Sequence, residues 1–219
     1  TVFNASINWT DFTVSSIKKL SEVFPYAEIL VIFRDHISFV ESLYASYIKV
    51  GGRLPFHKFF SFENESYSLL KPYDILFEPR IVAMQNCFSK VHILDYSILK
   101  NDKDLFKKFL CKLLSVEHVP FPNKKSNEAL GKYALYILRY INKFDACHKW
   151  FPDRKGLNLT NKSTLRLNIA PRKFLRKTLG NTGGKLRMPS EYKNKFSNDD
   201  NLVQDWNIVS HYSNKTRDE

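Results

Sequence analysis

The sequence predicts an α/β domain whose parallel sheet is flanked by helices, and three observations predict it. Two short runs, Glu28–Phe33 (EILVIF) and Val91–Leu94 (VHIL), are apolar and rich in β-branched residues, the pattern of buried parallel strands. Each is followed, after a short connection, by a segment with apolar residues at helical spacing, so strands and helices alternate. With 219 residues, 43% hydrophobic and 15% aromatic, the chain has the material for a full core. That composition excludes a disordered chain, and 7 Gly with 9 Pro exclude a collagen-like or linker-like one.

The elements follow in order. Thr10 or Asp11 caps a helix through Val23, with Val14, Ile17 and Leu20 on one face, and Pro25 ends it. After the strand Glu28–Phe33, residues Arg34–Ile37 make a tight connection to a helix over Ser38–Val50, which Gly51-Gly52 stops. Leu54–Ser68 reads as an irregular, aromatic-rich insertion, and Tyr73–Phe88 as a helix. The strand Val91–Leu94 leads through a turn, Asp95–Lys100, to a helix over Lys103–Leu114. Val119–Lys125 holds two Pro and is a loop; Asn127–Asn142 carries Leu130, Tyr133, Ala134, Ile137, Leu138 and Ile141 at helical spacing. Pro189 opens a last helix over Ser190–Trp206, with Glu191 in its first turn, and the chain beyond Asn207 reads as a loose polar tail. The expected organisation is one domain over 1–206 and a tail over 207–219.

Lys and Arg number 34 against 22 Asp and Glu, a formal charge of +12, so a polyanionic ligand is expected. The charge is uneven: residues 153–187 hold ten Lys or Arg and one acid, Asp153. Cys87, Cys111 and Cys147 are widely spaced and form no CxxC pair, which argues against a zinc ribbon or a disulfide framework. His92, His118 and His148 have no partners at metal-ligand spacing, so no metal is expected. The longest apolar run is far short of the roughly 20 residues of a membrane span. Six Asn-x-Ser/Thr sequons occur, at Asn4, Asn8, Asn64, Asn158, Asn161 and Asn214, where composition alone gives roughly two. They point to a secretory lumen, whereas an Asn-rich composition accounts for them without glycans; a cytoplasmic (bacterial-type) and a Golgi-lumenal setting both stay open.

Chemistry concentrates in Ala27–Tyr47 (AEILVIFRDHISFVESLYASY). A strand ends at Arg34 and a helix carries Ser42 eight residues later. Ligands of open α/β sheets bind at the carboxyl ends of strands, where Arg can grip a phosphate bidentately. The alternative is an Arg34 that closes the strand end by pairing with Asp35 or Glu41. Near the other end, Leu179–Pro189 (LGNTGGKLRMP) is a glycine-rich basic loop. Its glycines let backbone N–H groups approach an anion, and Lys185 and Arg187 add charge. It is not a Walker A loop, and no GxSxG or Ser/His/Asp pattern is present.

Strand–Arg–Asp, with Ser eight residues on and a following SLYxxY, resembles the 3′-phosphate-binding segment of sulfotransferases that use PAPS (3′-phosphoadenosine 5′-phosphosulfate). Three further stretches agree in order. Cys87–Lys112 is similar to that family's second strand and following helix, Leu179–Pro189 to the C-terminal basic loop of its carbohydrate branch, and Ser190–Trp206 to its terminal helix; the resemblance spans about residues 14–206. It implies a P-loop-NTPase-like sulfotransferase fold and transfer of a sulfuryl group from PAPS to a hydroxyl or amine, with a carbohydrate acceptor and PAP as product. Arg34, Ser42, Gly184, Lys185 and Arg187 would hold the donor. His36 and His57, the latter in the aromatic insertion RLPFHKFFSF, are candidate substrate contacts.

The chain departs from the family in two ways. His36 stands where the family carries Pro, and nothing before Arg34 fits the loop that binds the 5′-phosphosulfate. That loop and the catalytic base are expected upstream of Thr1. The competing reading is a non-catalytic polyanion- or nucleic-acid-binding module that uses the basic 153–187 stretch; under the sulfotransferase reading nucleic acid is not a partner.

Overall fold

The structure, a computed structural model, describes residues 9–62, 68–120, 130–143, 175, 177–180 and 182–218. The described chain divides into two compact units. One comprises 1–40, 57–124 and 188–219, and the other 41–56 and 125–187.

The first unit contains the sheet. β1 (Glu28–Phe33) and β2 (Lys90–Asp95) pair in parallel, in register from Glu28 opposite Lys90 to Phe33 opposite Asp95. A parallel pair buries both faces, and helices supply the cover. Ile29, Val31 and Phe33 of β1, with Val91 and Ile93 of β2, face one cluster. It includes Ile17 of α1 (Trp9–Val23), Ile81 and Met84 of α5 (Glu78–Cys87) and Val209 of the C-terminal helix. Leu30, Ile32 and Leu94 face the other, built on Ile98 of α6 (Tyr96–Asn101) and Phe106 of α7 (Lys103–Leu114). The sheet is thus the middle of three layers, and each fully buried Ile, Leu or Phe in them contributes roughly 1.5–3 kcal/mol.

Several expected boundaries shift, each for a local reason. The helix expected over Tyr73–Phe88 is two, α4 (Pro72–Ile75) and α5, because Leu76 turns extended and Pro79 restarts the chain near the α5 N-terminus. Asp95–Lys100, expected as a turn, is mostly helical, because the Asp95 side chain accepts from Ser97 N (2.8 Å) and caps α6. The insertion expected as irregular carries structure among its described residues. It holds α3 (Phe56–Phe59) and a bridge from Phe60 to Leu70, and Phe60 stacks on Phe196 at 5.2 Å.

The largest correction is at the C-terminus. The helix expected over Ser190–Trp206 is two, α9 (Ser190–Asn198) and α10 (Asp200–Asp218), broken at Asp199. The chain beyond Asn207, expected loose, is therefore helical to Asp218, and α10 packs along β2. Ser213 and Thr216 accept from the backbone N–H of Asp95 (2.9 Å) and Ile93 (3.3 Å), so hydroxyls of α10 satisfy the outer edge of β2. Asn214, the one sequon asparagine among the described residues, is exposed on this helix.

In the second unit, Gly51 has φ +102° and ends α2 (His36–Lys49) as expected. A β-carbon on Gly52 would lie 2.3 Å from the Tyr47 ring. The Tyr47 hydroxyl in turn accepts from Arg53 N and Leu54 N, both at 3.1 Å. The helix expected from Asn127 starts at Lys132, as α8 (Lys132–Ile141). Asn142 after it donates to the carbonyls of Ile48 (2.8 Å) and Gly52 (2.9 Å). Residues 144–174, which hold most of the basic stretch and Cys147, lie outside the described residues.

Candidate functional site

The carboxyl edge of the sheet is made by two strand-to-helix turns. β1 ends at Phe33, and Arg34 and Asp35 connect it to α2. Asp35 Oδ1 accepts from Ser38 N and its carbonyl from Phe39 N, both at 2.8 Å, so α2 starts two residues earlier than expected. β2 ends at Asp95, whose carboxylate accepts from Ser97 N and from Ser97 Oγ (2.7 Å). Both helices on this edge are thus N-capped by a carboxylate of their own.

Arg34 is half-buried between these turns, with its guanidinium 5.1 Å from the centroid of the Tyr96 ring. The pairing with Asp35 or Glu41 that would close it off is not formed. Asp35 is committed to α2, Glu41 pairs with Arg187 (3.8 Å), and among the described residues no carboxylate meets Arg34. A cation–π contact orients a guanidinium without neutralising it. The edge therefore holds one oriented cation whose charge is unmatched. Tyr96 was not legible as part of this site; the only signal is an aromatic residue directly after a strand-ending aspartate.

His36, a candidate substrate contact, is instead part of the core. It is buried, its Nε2 lies 2.8 Å from Asp205 Oδ2, and its ring stacks on Phe77 at 4.6 Å. Asp205, also buried, accepts from the backbone N–H of Phe77 (2.9 and 3.0 Å) and Glu78 (2.7 Å) at the start of α5. One carboxylate thus joins α10, the first turn of α5 and the first residue of α2, and it holds the turn that carries Arg34. Burial pushes the neighbouring Arg80 guanidinium down from its ordinary value, and Asp74 and Asp205 oppose that shift. His57 is exposed on α3, with no partner that marks a site among the described residues.

The remaining expected donor residues belong to the second unit. Ser42 is exposed on α2, deeper in the helix than expected because α2 starts early. In the glycine loop, Gly180, Gly183 and Gly184 all have positive φ (+48°, +79° and +68°). The carbonyls of Gly180 and Gly184 accept from Gly131 N (3.1 Å) and Lys132 N (2.8 Å), so the loop caps the N-terminus of α8. Gly183 lies against Tyr133, and a β-carbon there would sit 2.4 Å from its ring. The amides of Gly183 and Gly184 have no acceptor among the described residues. Lys185 is exposed; Arg187 is exposed too, beside Glu41.

A groove of about 430 Å³ between α5 and α10 is lined by Glu78, Gln85, Gln204 and His211 among others, and Arg34 is not part of it. Among the described residues no group of three or more His, Cys, Asp or Glu is placed to hold a metal ion, and no helix is long and apolar enough to cross a membrane. Compared with family models, curated proteins and solved structures, the chain gives no match.

Proposed function

We propose that the chain binds the 3′-phosphate of a phosphoadenosine nucleotide at Arg34 and belongs to a PAPS-dependent sulfotransferase that acts on a carbohydrate hydroxyl or amine. The observation that carries this reading is an oriented, half-buried guanidinium that meets no carboxylate among the described residues, at the carboxyl edge of a parallel sheet. A dianionic phosphate is the ligand such a group grips bidentately. Layers of helix on both sides of parallel strands are the coarse architecture a P-loop-like sulfotransferase fold needs. In the transfer, the acceptor oxygen or nitrogen forms a bond to sulfur as the bond from sulfur to the bridging phosphate oxygen breaks. The acceptor loses its proton, and PAP leaves. Positioning and charge stabilisation supply the rate in such a displacement. For Ser42, Gly184, Lys185 and Arg187, the donor role is the one the resemblance implies.

Calorimetric titration with adenosine 3′,5′-bisphosphate tests the reading. Saturable binding is expected, with Arg34→Ala weakening it at least tenfold, about 1.4 kcal/mol. A folded chain that binds no nucleotide sinks the proposal.

A further inference from the structure

α8 breaks the rule for a surface helix. Its inner face buries Ala134, Leu135 and Leu138, yet its outer face is aromatic where polar residues are the norm. Tyr133 is 55% exposed and Tyr140 56%, with half-buried Tyr136 between them. Seven residues of helix put Tyr133 and Tyr140 about 10 Å apart along the axis.

Cations are interleaved with the rings. Lys132 lies 5.8 Å from the Tyr136 centroid, Arg139 lies 5.8 Å from Tyr136 and 5.6 Å from Tyr140, and Lys143 lies 4.8 Å from Tyr140. Arg139 also donates to the Tyr44 hydroxyl (3.1 Å). Burial opposes the charge on Arg139, but the Tyr44 and Tyr140 hydroxyls outweigh it and raise its pKa. No Asp or Glu occurs on α8. One ring is held before any ligand arrives, because Tyr133 rests on the bare backbone of Gly183 and turns an exposed side outward.

We infer that this face of α8 is a docking surface for an anionic glycan. A sugar ring offers a flat C–H face to an exposed aromatic ring, and its sulfate or carboxylate groups meet the cations between the rings. Single-stranded nucleic acid uses rings too, but it is held along a basic groove, whereas these rings stand on the exposed outer face of a helix. A second copy of this chain would set the same cations against each other. This surface stands apart from the nucleotide reading, because none of its residues is among Arg34, Ser42, Gly184, Lys185 and Arg187, the residues proposed to hold the nucleotide.

The test is a titration of the full chain with a sulfated, uronate-bearing octasaccharide of the heparin type, in parallel with an oligothymidylate of matched charge. Saturable saccharide binding is expected. It weakens at least about tenfold in Tyr133→Ala/Tyr140→Ala and stays within about twofold in Tyr133→Phe/Tyr140→Phe, which keeps the rings. Saccharide affinity that survives loss of the rings overturns the inference. So does an oligothymidylate held as tightly with the same loss, or a self-associating chain that dissociates on ring deletion and binds no saccharide. Titrating the same proteins with adenosine 3′,5′-bisphosphate reports on Arg34 separately, so either reading can fail alone.

Discussion

The turns that follow the two strands are built alike and end differently. Both place an aspartate at the N-cap of the next helix, Asp35 for α2 and Asp95 for α6. The β2 turn is closed: its carboxylate is shared with Ser97, its backbone N–H is taken by Ser213, and nothing charged is left over. The β1 turn inserts Arg34 before its cap and anchors the far side through His36 and Asp205. The difference teaches that neither helix N-terminus is open to an anion, since a carboxylate already occupies each. What the β1 turn offers instead is one guanidinium, on a turn that His36 and Asp205 pin.

The largest effect is expected from breaking the pin. Asp205→Ala removes the acceptor of two backbone N–H groups and of His36 in a buried setting, and it should cost about 3–5 kcal/mol in urea unfolding. A loss under about 1 kcal/mol would mean the β1 turn is held by something else. Capping comes next. Asp35→Ala and Asp95→Ala should each cost about 1 kcal/mol. Only Asp35→Ala, which removes the negative charge next to Arg34 in the chain, should also tighten adenosine 3′,5′-bisphosphate binding, by about two- to threefold. Equal tightening in both variants would erase the distinction between the turns.

The smallest effect lies at the opposite edge of the sheet. Glu28 accepts from His92 (3.0 Å) and lies 3.6 Å from Lys90. The His92 hydrogen bond first, and Lys90 after it, lower the Glu28 carboxyl below its ordinary 4.5 despite some desolvation. A lowered carboxyl contributes stability that is present in full above the ordinary value and fades as pH falls through the folded one. The urea midpoint of the wild-type chain should therefore fall more steeply below about pH 4.5 than that of Glu28→Gln. Parallel slopes would leave Glu28 without a role.

What the sequence shows of this molecule follows from where apolar side chains carry the pattern. Both strands, the Gly51-Gly52 stop and helices α1, α2 and α7 were legible because Ile, Leu, Val, Phe and Tyr recur in them at clear spacing, as Val40, Tyr44, Tyr47 and Ile48 do on the buried side of α2. The C-terminal helix was not, because Asp205, Ser213 and Thr216 share its inner face with Leu202 and Val209. Buried polar residues that satisfy a strand edge read, in sequence, as a solvated tail. The same blindness hid His36, whose partner lies 169 residues away. Arg34 was legible as a strand-ending cation, but its lack of a carboxylate was not, since Asp35 beside it suggests the opposite. On α8, Tyr133 and Ile137 fit the apolar spacing yet face outward, and the excess of apolar positions over one buried stripe was the available signal.

The nucleotide proposal rests on Arg34 reading a 3′-phosphate. The most direct measurement compares adenosine 3′,5′-bisphosphate with adenosine 5′-monophosphate, by calorimetry, on the wild-type chain and on Arg34→Ala. The wild-type chain should prefer the bisphosphate by at least about tenfold, and that preference should collapse to near unity in the variant. Equal affinity of the wild-type chain for both nucleotides, or a preference that survives loss of Arg34, would contradict it.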